Sequence, residues 1–457
     1  MIPFWPLGDA SERIAYLAEG RAVTYAELGE RADRIARGLV EAGAARGKPV
    51  ATLLTNGPAF VETLHAVLRL GAILMPLHER LPAAELTQLL AEREPALVVH
   101  DERHAETAAH LGPPVVDLRA LKDGPPLTGA AIGDYDATAA ILFTSGSTDA
   151  PHRVTLSTGN FLWSALASAA VLGTRPDDRW LACLTTAHVG GLSIFLRSAV
   201  YGTAVVIHDG FDEAAVNRSI DEEGVTIVSL VAAGLARVLA QRGERPFPPA
   251  LRCVLVGGGP IPDDLIAECA RRRVPLAPSY GLTEAASQVA TRAPFAEGLH
   301  GAGRPLPGTL VKLDIDDEIL VKGPTVSRDA VSPDGWLHTG DLGHLDEHGC
   351  VFIEGRIDDL IVSGGENVQP LQVEAALATH PAVAEVAVAG VPDGAMGQAV
   401  VAWVRLHAGR RIKAEELRTH ARSTLAGFKV PKRVHFVERL PATPLGKIAR
   451  RELREPS

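Results

Sequence analysis

Short apolar runs alternate with stretches of helical periodicity through most of the chain. In one such stretch, apolar residues recur at Leu28, Ala32, Ile35 and Leu39, a few residues after Thr24. This is the spacing of one face of a helix, and a threonine before it is a common N-cap. The alternation of strand and helix recurs in four further segments: 48–74, 83–101, 203–231 and 251–281. The pattern predicts an α/β fold in which helices cover sheets with many parallel pairs.

The pattern changes after about Pro294, where glycine and proline become frequent and the apolar runs shorten. The segment up to about residue 356 therefore predicts a β-rich region with many turns. Beyond Arg356 the pattern is typical of a compact α+β domain. We expect a large N-terminal domain over 1–356, with α/β subdomains of mixed sheets plus a β-rich subdomain, and a small α+β domain over 357–457.

Composition narrows the class of protein without defining its chemistry. The 457 residues are 46% apolar and 22% charged, which is ordinary for a globular enzyme of more than one domain. A net charge of −10 argues against a nucleic-acid-binding surface, although a local site can still be positive. The four cysteines lack metal-ligand spacing, and no run approaches the roughly 20 apolar residues of a membrane helix. The N-terminus lacks the features of a signal peptide, so we expect a cytoplasmic protein with no nucleic-acid or membrane partner.

The segment Ile141–Ser157 contains the first candidate chemistry. An apolar run ends in Thr-Ser-Gly-Ser-Thr, which offers hydroxyl and backbone N–H donors with few bulky side chains. A phosphate chain needs such donors at close range. An ordinary surface turn explains the same composition, and the spacing is not that of a P-loop.

Five more polar residues follow in the chain, and all but Arg356 have a structural alternative. A turn is expected at Tyr280-Gly281, just before Thr283 and Glu284. Glu284 suits Mg²⁺ and Thr283 suits a phosphate, but the pair would equally begin a helix. Asp341, expected on a tight turn, could accept two ribose hydroxyls or form an Asx-turn. Arg356 follows it, and Lys447 lies on a Gly-Lys turn in what is otherwise a basic tail.

In this order and spacing, the motifs resemble the adenylate-forming superfamily of acyl-CoA synthetases, adenylation domains and luciferases. The resemblance extends from about Asn56 to Lys447. It implies an enzyme that uses ATP, Mg²⁺ and coenzyme A. A carboxylate attacks the α-phosphate of ATP to give acyl-AMP and pyrophosphate, and a thiol then displaces AMP. The resemblance also implies a C-terminal domain that rotates between the two half-reactions, with Asp358 at the hinge.

The resemblance assigns roles to matching residues. The β- and γ-phosphates would be held by Thr144, Ser145, Gly146, Ser147 and Thr148. The adenine would be walled by Gly257, Gly258, Gly259, Pro260, Ser279, Tyr280 and Gly281. Thr283 would contact the α-phosphate, Glu284 would bind Mg²⁺, and Asp341 and Arg356 would bind the ribose. Lys447 would supply the cation for adenylation, and Gly364 and Gly365 would leave room for the pantetheine arm of CoA.

The phosphate loop departs from the pattern of the superfamily. The usual Gly-x-Pro-Lys-Gly reads Asp149-Ala150-Pro151-His152-Arg153, so histidine replaces the lysine. Arg153 stands one place later and is a permanent cation that could serve the same phosphates. Asp149 adds a negative charge there, which would weaken ATP binding or slow adenylation.

Within the superfamily, residues 184–207 and 251–294 resemble the o-succinylbenzoate–CoA ligases of menaquinone biosynthesis. Their acid carries two carboxylates, of which only the aliphatic one is activated. Arg197, in an otherwise apolar helix, could bind the aromatic carboxylate; alternatively it reaches solvent or pairs with Asp209 or Asp212. The other residues expected to line the acyl pocket are His188, Gly190, Gly191, Ser193, Ser287 and Gln288.

Three other functions fit the same motifs. The chain could ligate CoA to another aromatic or short-chain carboxylic acid, or act alone as an adenylation enzyme that loads a carrier protein. The altered loop also suits a module that binds ATP without turnover. The partners expected are a small carboxylic acid, ATP and CoA, and the resemblance favours a homodimer.

Overall fold

The computed structural model describes residues 11–91, 94–121, 134–144, 152–298, 300–394, 396–441 and 448–453. Within these, the chain forms two compact units. Unit 1 is drawn from Met1–Val311, Val321–His338 and Asp346–Val351, and unit 2 from Lys312–Leu320, Thr339–Leu345 and Phe352–Ser457. The domain bounds expected from the sequence stay a prediction.

The helices begin and end where local sequence signals place them. Thr24 caps α1 through a reciprocal pair of hydrogen bonds with Glu27, and Pro58 and the left-handed Gly71 (φ 65°) bound α2. The helices of the described chain are α1 (Tyr25–Glu41), α2 (Pro58–Leu70), α3 (Ala83–Ala91), α4 (Ala105–Ala109), α5 (Thr158–Leu172), α6 (Val189–Tyr201), α7 (Glu213–Glu222), α8 (Ala232–Arg242), α9 (Asp263–Arg271), α10 (Pro370–Ala378) and α11 (Ala414–Arg422).

The strands coincide with the apolar runs of the sequence. In the first half they are β1 (Ile14–Ala18), β2 (Arg21–Thr24), β3 (Pro49–Leu53), β4 (Ile73–Pro76), β5 (Leu97–His100), β6 (Val115–Asp117), β7 (Thr138–Thr144), β8 (His152–Ser157), β9 (Arg179–Ala182), β10 (Ala204–Ile207) and β11 (Ile227–Leu230). The later ones are β12 (Cys253–Val256), β13 (Leu276–Leu282), β14 (Ser287–Thr291), β15 (Leu310–Leu313), β16 (Glu318–Lys322), β17 (Leu337–Leu345), β18 (Val351–Arg356), β19 (Ile361–Ser363), β20 (Glu366–Val368), β21 (Val383–Asp393), β22 (Gly397–Leu406) and β23 (Arg433–Phe436).

Unit 1 contains two mixed sheets. One has the order β14-β13-β12-β11-β9-β10-β1-β2 and the other β6-β5-β3-β4-β7-β8. Most of their pairs are parallel, and β13–β14, β7–β8 and β1–β2 are antiparallel. The parallel strands β3, β10, β11 and β12 are buried along their whole length, as expected when helices cover both faces. The core includes Leu28, Phe60 and Phe195. The ring centroids of Phe60 and Phe195 are 5.7 Å apart.

The strands β15–β18 follow one another in a four-stranded sheet, which is the β-rich region expected after Pro294. The last part of unit 2 has a sheet of order β20-β19-β22-β21, with β23 parallel to β22. Its core joins residues of these strands to Val373 of α10 and Leu417 of α11. The predicted fold class, α/β followed by β-rich and α+β regions, is therefore confirmed.

Two further observations concern the cysteines and the helices. All four cysteines are free thiols in buried positions. In the described part of the chain, no helix combines the length and the apolar character needed to cross a membrane.

Candidate active site

The hairpin β7–β8 carries both ends of the expected phosphate loop. Thr144 ends β7, and its hydroxyl donates to the carbonyl of His152, 3.3 Å away. Arg153 pairs with Phe143 across the hairpin and is exposed. Ser145, Gly146, Ser147 and Thr148 lie outside the described residues. Arg153 thus lies two residues after the segment 145–151, which is outside the described residues, and its contact with phosphate stays a prediction.

The residues expected around adenine come from two neighbouring parallel strands. Gly257, Gly258, Gly259 and Pro260 follow β12, whereas Ser279, Tyr280 and Gly281 belong to β13, beside it. The expected turn at Tyr280-Gly281 is wrong, because β13 continues to Leu282 with a register shift at these two residues. Gly281 is required there because a Cβ would overlap the carbonyl oxygen of Ser287.

Thr283 and Glu284 lie in one 3₁₀ turn, Thr283–Ala285, rather than at the start of an α-helix. The N-cap position of this turn is Leu282 and not Thr283, so the structural alternative for this pair is wrong. After the turn, Ala286 (φ 50°) and Ser287 (φ 98°) adopt left-handed backbone conformations, which are unusual for residues with a Cβ. The chain then enters β14.

Ser327 fixes the backbone of this turn. Its N–H donates to the carbonyl of Glu284 at 2.7 Å, and its hydroxyl donates to the carbonyl of Thr155 in β8 at 2.8 Å. The Glu284 carboxylate is half-buried and has no hydrogen-bond or ion-pair partner among the described residues. A carboxylate in this state suits a divalent cation, which takes oxygen ligands.

Arg197 is a buried cation in the middle of α6, with 2% of its surface exposed. Its Nη2 donates to Ser164 Oγ at 3.0 Å, and its Cζ lies 5.9 Å from the centroid of the Trp180 ring. Its Nε has no hydrogen-bond partner among the described residues. Burial lowers the pKa of Arg197 to about 10 because no carboxylate of the described chain pairs with it.

The alternatives raised for Arg197 do not hold. The side chain does not reach solvent, since it is almost fully buried. Asp209 pairs instead with Arg103, 3.0 Å away, and Asp212 accepts a hydrogen bond from the backbone of Ala215 at the start of α7. Within the described residues, Arg197 is therefore a buried cation without a carboxylate partner.

The start of α6 carries the other expected acyl-pocket residues. His188 precedes the helix, half-buried, and its ring lies 5.4 Å from that of His78, tilted by 51°. Ser193 is buried, and its hydroxyl has no partner within the described ranges. A Cβ added at Gly190 would have open space around it, with one Leu184 atom 4.0 Å away. A Cβ added at Gly191 would overlap the Thr185 carbonyl.

β14 contributes the two remaining acyl-pocket candidates, Ser287 and Gln288. Gln288 is buried, and its Nε2 donates to Thr291 Oγ1 at 2.8 Å. Its Oε1 has no partner in the part of the chain that the structure describes. Ser164 Oγ donates to the carbonyl of Ala286 at 2.7 Å, so α5, Arg197 and the start of β14 meet at one hydroxyl.

In unit 2, Asp341 and Arg356 form one ion pair with Arg356 Nη1 2.8 Å from Asp341 Oδ1. The expected tight turn at Asp341 is wrong: the residue lies within β17, after Gly340 with φ 68°. Asp341 is buried, and its Oδ1 accepts the hydrogen bond from Arg356 Nη1. Arg356 Nη2 also lies 3.8 Å from Asp358 Oδ2, in the 3₁₀ turn Ile357–Asp359.

Gly364 and Gly365 form the two-residue turn of the hairpin β19–β20. Both have positive φ, 63° and 84°, as a type I′ turn requires. Their presence is thus explained by the turn itself, and a role beside CoA stays a prediction. Lys447 lies outside the described residues.

Sequence reasoning missed two residues that the structure places against the candidates. Ser164 is one of several small residues in α5, and nothing in the sequence separates it from Ser168. His78 is a single histidine in a loop after β4. Only the fold brings these two residues to Arg197 and His188.

Among the described residues, unit 1 thus contains a buried cation without a carboxylate partner and a carboxylate without a hydrogen-bond or ion-pair partner. Its hairpin β7–β8 carries both ends of the expected phosphate loop. The family described as "AMP-binding enzyme" matches residues 7–329, and its C-terminal domain matches residues 372–447. The chain therefore belongs to the family of AMP-binding enzymes, and the expected superfamily is confirmed.

Particular relatives are similar over nearly the whole chain. A 2-succinylbenzoate–CoA ligase of Bacillus cereus is 36% identical in an alignment 480 positions long, which covers 99% of this chain and 98% of the relative. The o-succinylbenzoate CoA synthetase (MenE) of Bacillus subtilis, solved with the acyl-adenylate intermediate OSB-AMP, is 35% identical with a TM-score of 0.91, covering 98% of this chain and 96% of that one. The same enzyme solved with ATP and magnesium ion has a TM-score of 0.90, at 35% identity and coverages of 97% and 97%.

Proposed function

We propose that the chain is an ATP-dependent, AMP-forming ligase that joins 2-succinylbenzoate to coenzyme A. In the first half-reaction the aliphatic carboxylate forms a bond to the α-phosphorus of ATP, and the bond to pyrophosphate breaks. In the second, the thiol of CoA forms a thioester with the acyl carbon, and AMP leaves. The acyl phosphate anhydride is needed because a carboxylate has no adequate leaving group.

The observation that carries the substrate assignment is the buried Arg197 without a carboxylate partner in the described chain. A buried charge is unfavourable unless it is paired. The aromatic carboxylate of 2-succinylbenzoate would complete the pair, with Arg197 as a two-pronged donor. Relatives named 2-succinylbenzoate–CoA ligase, and a neighbour solved with OSB-AMP, support this choice of acid.

The remaining acyl-pocket residues would surround the ring and the ketone. Ser193 Oγ and Gln288 Oε1 are buried polar atoms without partners among the described residues, so they suit polar groups of the acid. Ser287 lies next to Gln288, and His188 would line the entrance. Gly190 provides the open space at the start of α6.

For the nucleotide, Thr283 would contact the α-phosphate, and the Glu284 carboxylate, which has no partner among the described residues, would bind Mg²⁺. The ion supplies charge neutralisation at the phosphates when bound. Thr144 and Arg153, with residues 145–148, would hold the outer phosphates, and Gly257–Pro260 with Ser279–Gly281 would wall the adenine. Asp341, oriented by Arg356, would accept hydrogen bonds from the ribose hydroxyls.

The change between half-reactions is assigned to the C-terminal region, with Asp358 as the hinge. Lys447 would bridge the carboxylate and the α-phosphate during adenylation, where negative charge accumulates. Gly364 and Gly365 would approach the pantetheine arm during thioester formation. We place the enzyme in the cytoplasm as a homodimer acting on small molecules, with no membrane or nucleic-acid partner.

A panel of carboxylic acids with ATP, Mg²⁺ and CoA, with thioester products identified by mass, tests this function. The proposal expects 2-succinylbenzoate to be converted well and 4-oxo-4-phenylbutanoate, which lacks the ring carboxylate, to be converted poorly. A preference for benzoate or a short-chain acid would contradict it. Transfer of the acyl group to a carrier protein but not to CoA would favour the carrier-loading alternative.

Arg197→Ala examines the observation behind the assignment. We expect the KM for 2-succinylbenzoate to rise by about tenfold or more, because a charged hydrogen-bonded contact is lost, while the KM for ATP changes little. Unchanged discrimination between 2-succinylbenzoate and 4-oxo-4-phenylbutanoate in this variant would show that Arg197 does not bind the aromatic carboxylate.

A further inference from the structure

One buried hydroxyl connects the proposed acid site to the segment proposed to bind Mg²⁺ and phosphate. We propose that Ser164 is a positioning residue: it orients the guanidinium of Arg197 toward the acid and anchors the backbone at Ala286. This inference rests on the proposed function, since it concerns how the second carboxylate of the acid is recognised.

Both bonds of Ser164 have good geometry and are shielded from water. Arg197 Nη2 donates to Ser164 Oγ at 3.0 Å, and Ser164 Oγ donates to the Ala286 carbonyl at 2.7 Å. Ser164 and Arg197 are 1% and 2% exposed, and Ala286 is fully buried. A serine hydroxyl has one proton and two acceptor sites, so it can serve both partners at once.

The first bond determines which way the guanidinium faces. Trp180 lies 5.9 Å from Arg197 Cζ and is itself fixed, because its Nε1 donates to Ser229 Oγ at 3.0 Å. With Nη2 held by Ser164, Arg197 Nε is left without a partner among the described residues. Binding a carboxylate in a defined geometry requires that the planar donor group be held in place before the acid arrives.

The second bond acts on a backbone that is intrinsically unfavourable. Ala286 and the next residue, Ser287, have φ of 50° and 98°, a region that residues with a Cβ rarely occupy. Glu284 lies two residues before Ala286, and Gln288 two residues after it. By holding the Ala286 carbonyl, Ser164 would keep this segment in register with Arg197.

α6 offers a matched control for removing a buried serine hydroxyl. Ser198 follows Arg197 in the chain, is 1% exposed, and its hydroxyl has no hydrogen-bond partner in the described part of the chain. Ser198→Ala therefore removes the same atom at the same burial without touching Arg197 or Ala286. Ser164→Thr retains a hydroxyl at the proposed position.

The experiment measures kcat/KM for 2-succinylbenzoate and for 4-oxo-4-phenylbutanoate in the wild type and in the Ser164→Ala, Ser164→Thr and Ser198→Ala variants. In Ser164→Ala we expect the preference for 2-succinylbenzoate to fall by about tenfold, the equivalent of one hydrogen bond to a charged group. Ser198→Ala should keep the wild-type preference, and Ser164→Thr should recover most of it. A purely structural role would lower both kcat/KM values equally.

The outcomes separate the two proposals. If the wild type prefers 2-succinylbenzoate and Ser164→Ala keeps that preference, the positioning role is wrong while the proposed function stands. If the wild type converts neither compound, the proposed function fails and the inference fails with it. If Ser164→Ala unfolds, the preference of Ser164→Thr decides: wild-type preference supports the role, and loss of preference despite its hydroxyl contradicts it.

Discussion

Arg197 is a buried cation for which the described chain supplies no carboxylate partner. A buried charge without an opposite charge costs several kcal/mol of desolvation in effective terms, and the contacts with the Ser164 hydroxyl and the Trp180 ring offset part of that cost. No packing argument requires an arginine at this position of an apolar helix. The proposed function accounts for its presence, because the aromatic carboxylate of the acid would supply the missing charge.

This imbalance predicts that Arg197→Met stabilises the protein without substrate. Replacement of a poorly paired buried charge by an apolar side chain of similar length should raise the free energy of unfolding by about 1–3 kcal/mol. Thermal or denaturant unfolding of the ligand-free protein measures it. A clear loss of stability would mean that Arg197 has a stabilising partner, which the proposed role denies.

Lys447 carries a second prediction at this scale, resting on its match to the superfamily motif. Lys447→Ala should abolish formation of acyl-AMP but spare thioester formation from supplied acyl-AMP, because charge develops on the α-phosphate only in the first step. Single-turnover assays of the two half-reactions measure this. Equal loss of both steps would contradict the proposed division of labour.

The sequence alone identified Arg197 as a candidate but could not decide between the interpretations offered for it. Whether an arginine in an apolar helix meets solvent, an aspartate or a ligand depends on residues distant in the chain. In the structure Arg197 does not reach solvent, because it is buried. Asp209 pairs with Arg103, and Asp212 accepts a hydrogen bond from the backbone of Ala215. Ser164 was missed altogether, because a serine among alanines in a helix has no local signature.

At the scale of elements, apolar periodicity predicted the helices and strands of unit 1 well. The errors came from glycine-containing segments. Tyr280-Gly281 and the residues around Asp341 were expected as turns, yet both lie within strands, at a register shift and beside a left-handed Gly340 respectively. A glycine signals an unusual backbone or a close approach, but not whether the chain then reverses or continues.

The two adjacent glycines of α6 give a matched prediction. Gly191→Ala should destabilise the protein by more than about 2 kcal/mol, the cost of severe overpacking, because its Cβ would overlap the Thr185 carbonyl. Gly190→Ala has room for its methyl group and should fold with at least wild-type stability. Comparison of their unfolding temperatures measures the difference; equal values would contradict the described packing.

The starts of β9 and β12 are joined by a buried ion pair whose effect on stability depends on pH. Arg252 Nη2 and Nε lie 2.6 Å and 2.7 Å from the Asp178 carboxylate, which also accepts from Thr226 Oγ1 at 2.8 Å. Burial alone would raise the pKa of Asp178, but the hydrogen bonds from Arg252 and Thr226 outweigh it and lower the pKa overall.

Because the folded state lowers this pKa, the pair contributes stability above the unfolded value of about 4 and loses it as pH falls further. Asp178→Asn should therefore be less stable than the wild type at neutral pH, with a difference that shrinks in acid. Urea unfolding between about pH 7 and pH 3, the range that spans the unfolded value, measures the two profiles. Parallel profiles would show that the ionisation of Asp178 does not stabilise the fold.

For the whole molecule, the order of motifs was more informative than any one of them. Each candidate had a plausible structural alternative, but their fixed order matched one superfamily, and the family match confirms it. The fold class followed from the alternation of strand and helix. The domain bounds, the role of Arg153 and the contact of Lys447 with substrate stay predictions, because they depend on how distant segments meet.

The central claim is that one chain activates 2-succinylbenzoate with ATP and then transfers it to CoA. Its most direct test follows pyrophosphate and AMP release from the purified protein as acid and CoA are added in turn. The account predicts pyrophosphate release only when 2-succinylbenzoate is present, with AMP and the thioester appearing in equal amounts only after CoA is added. Release of pyrophosphate that is indifferent to 2-succinylbenzoate, or no release with it, would contradict the account.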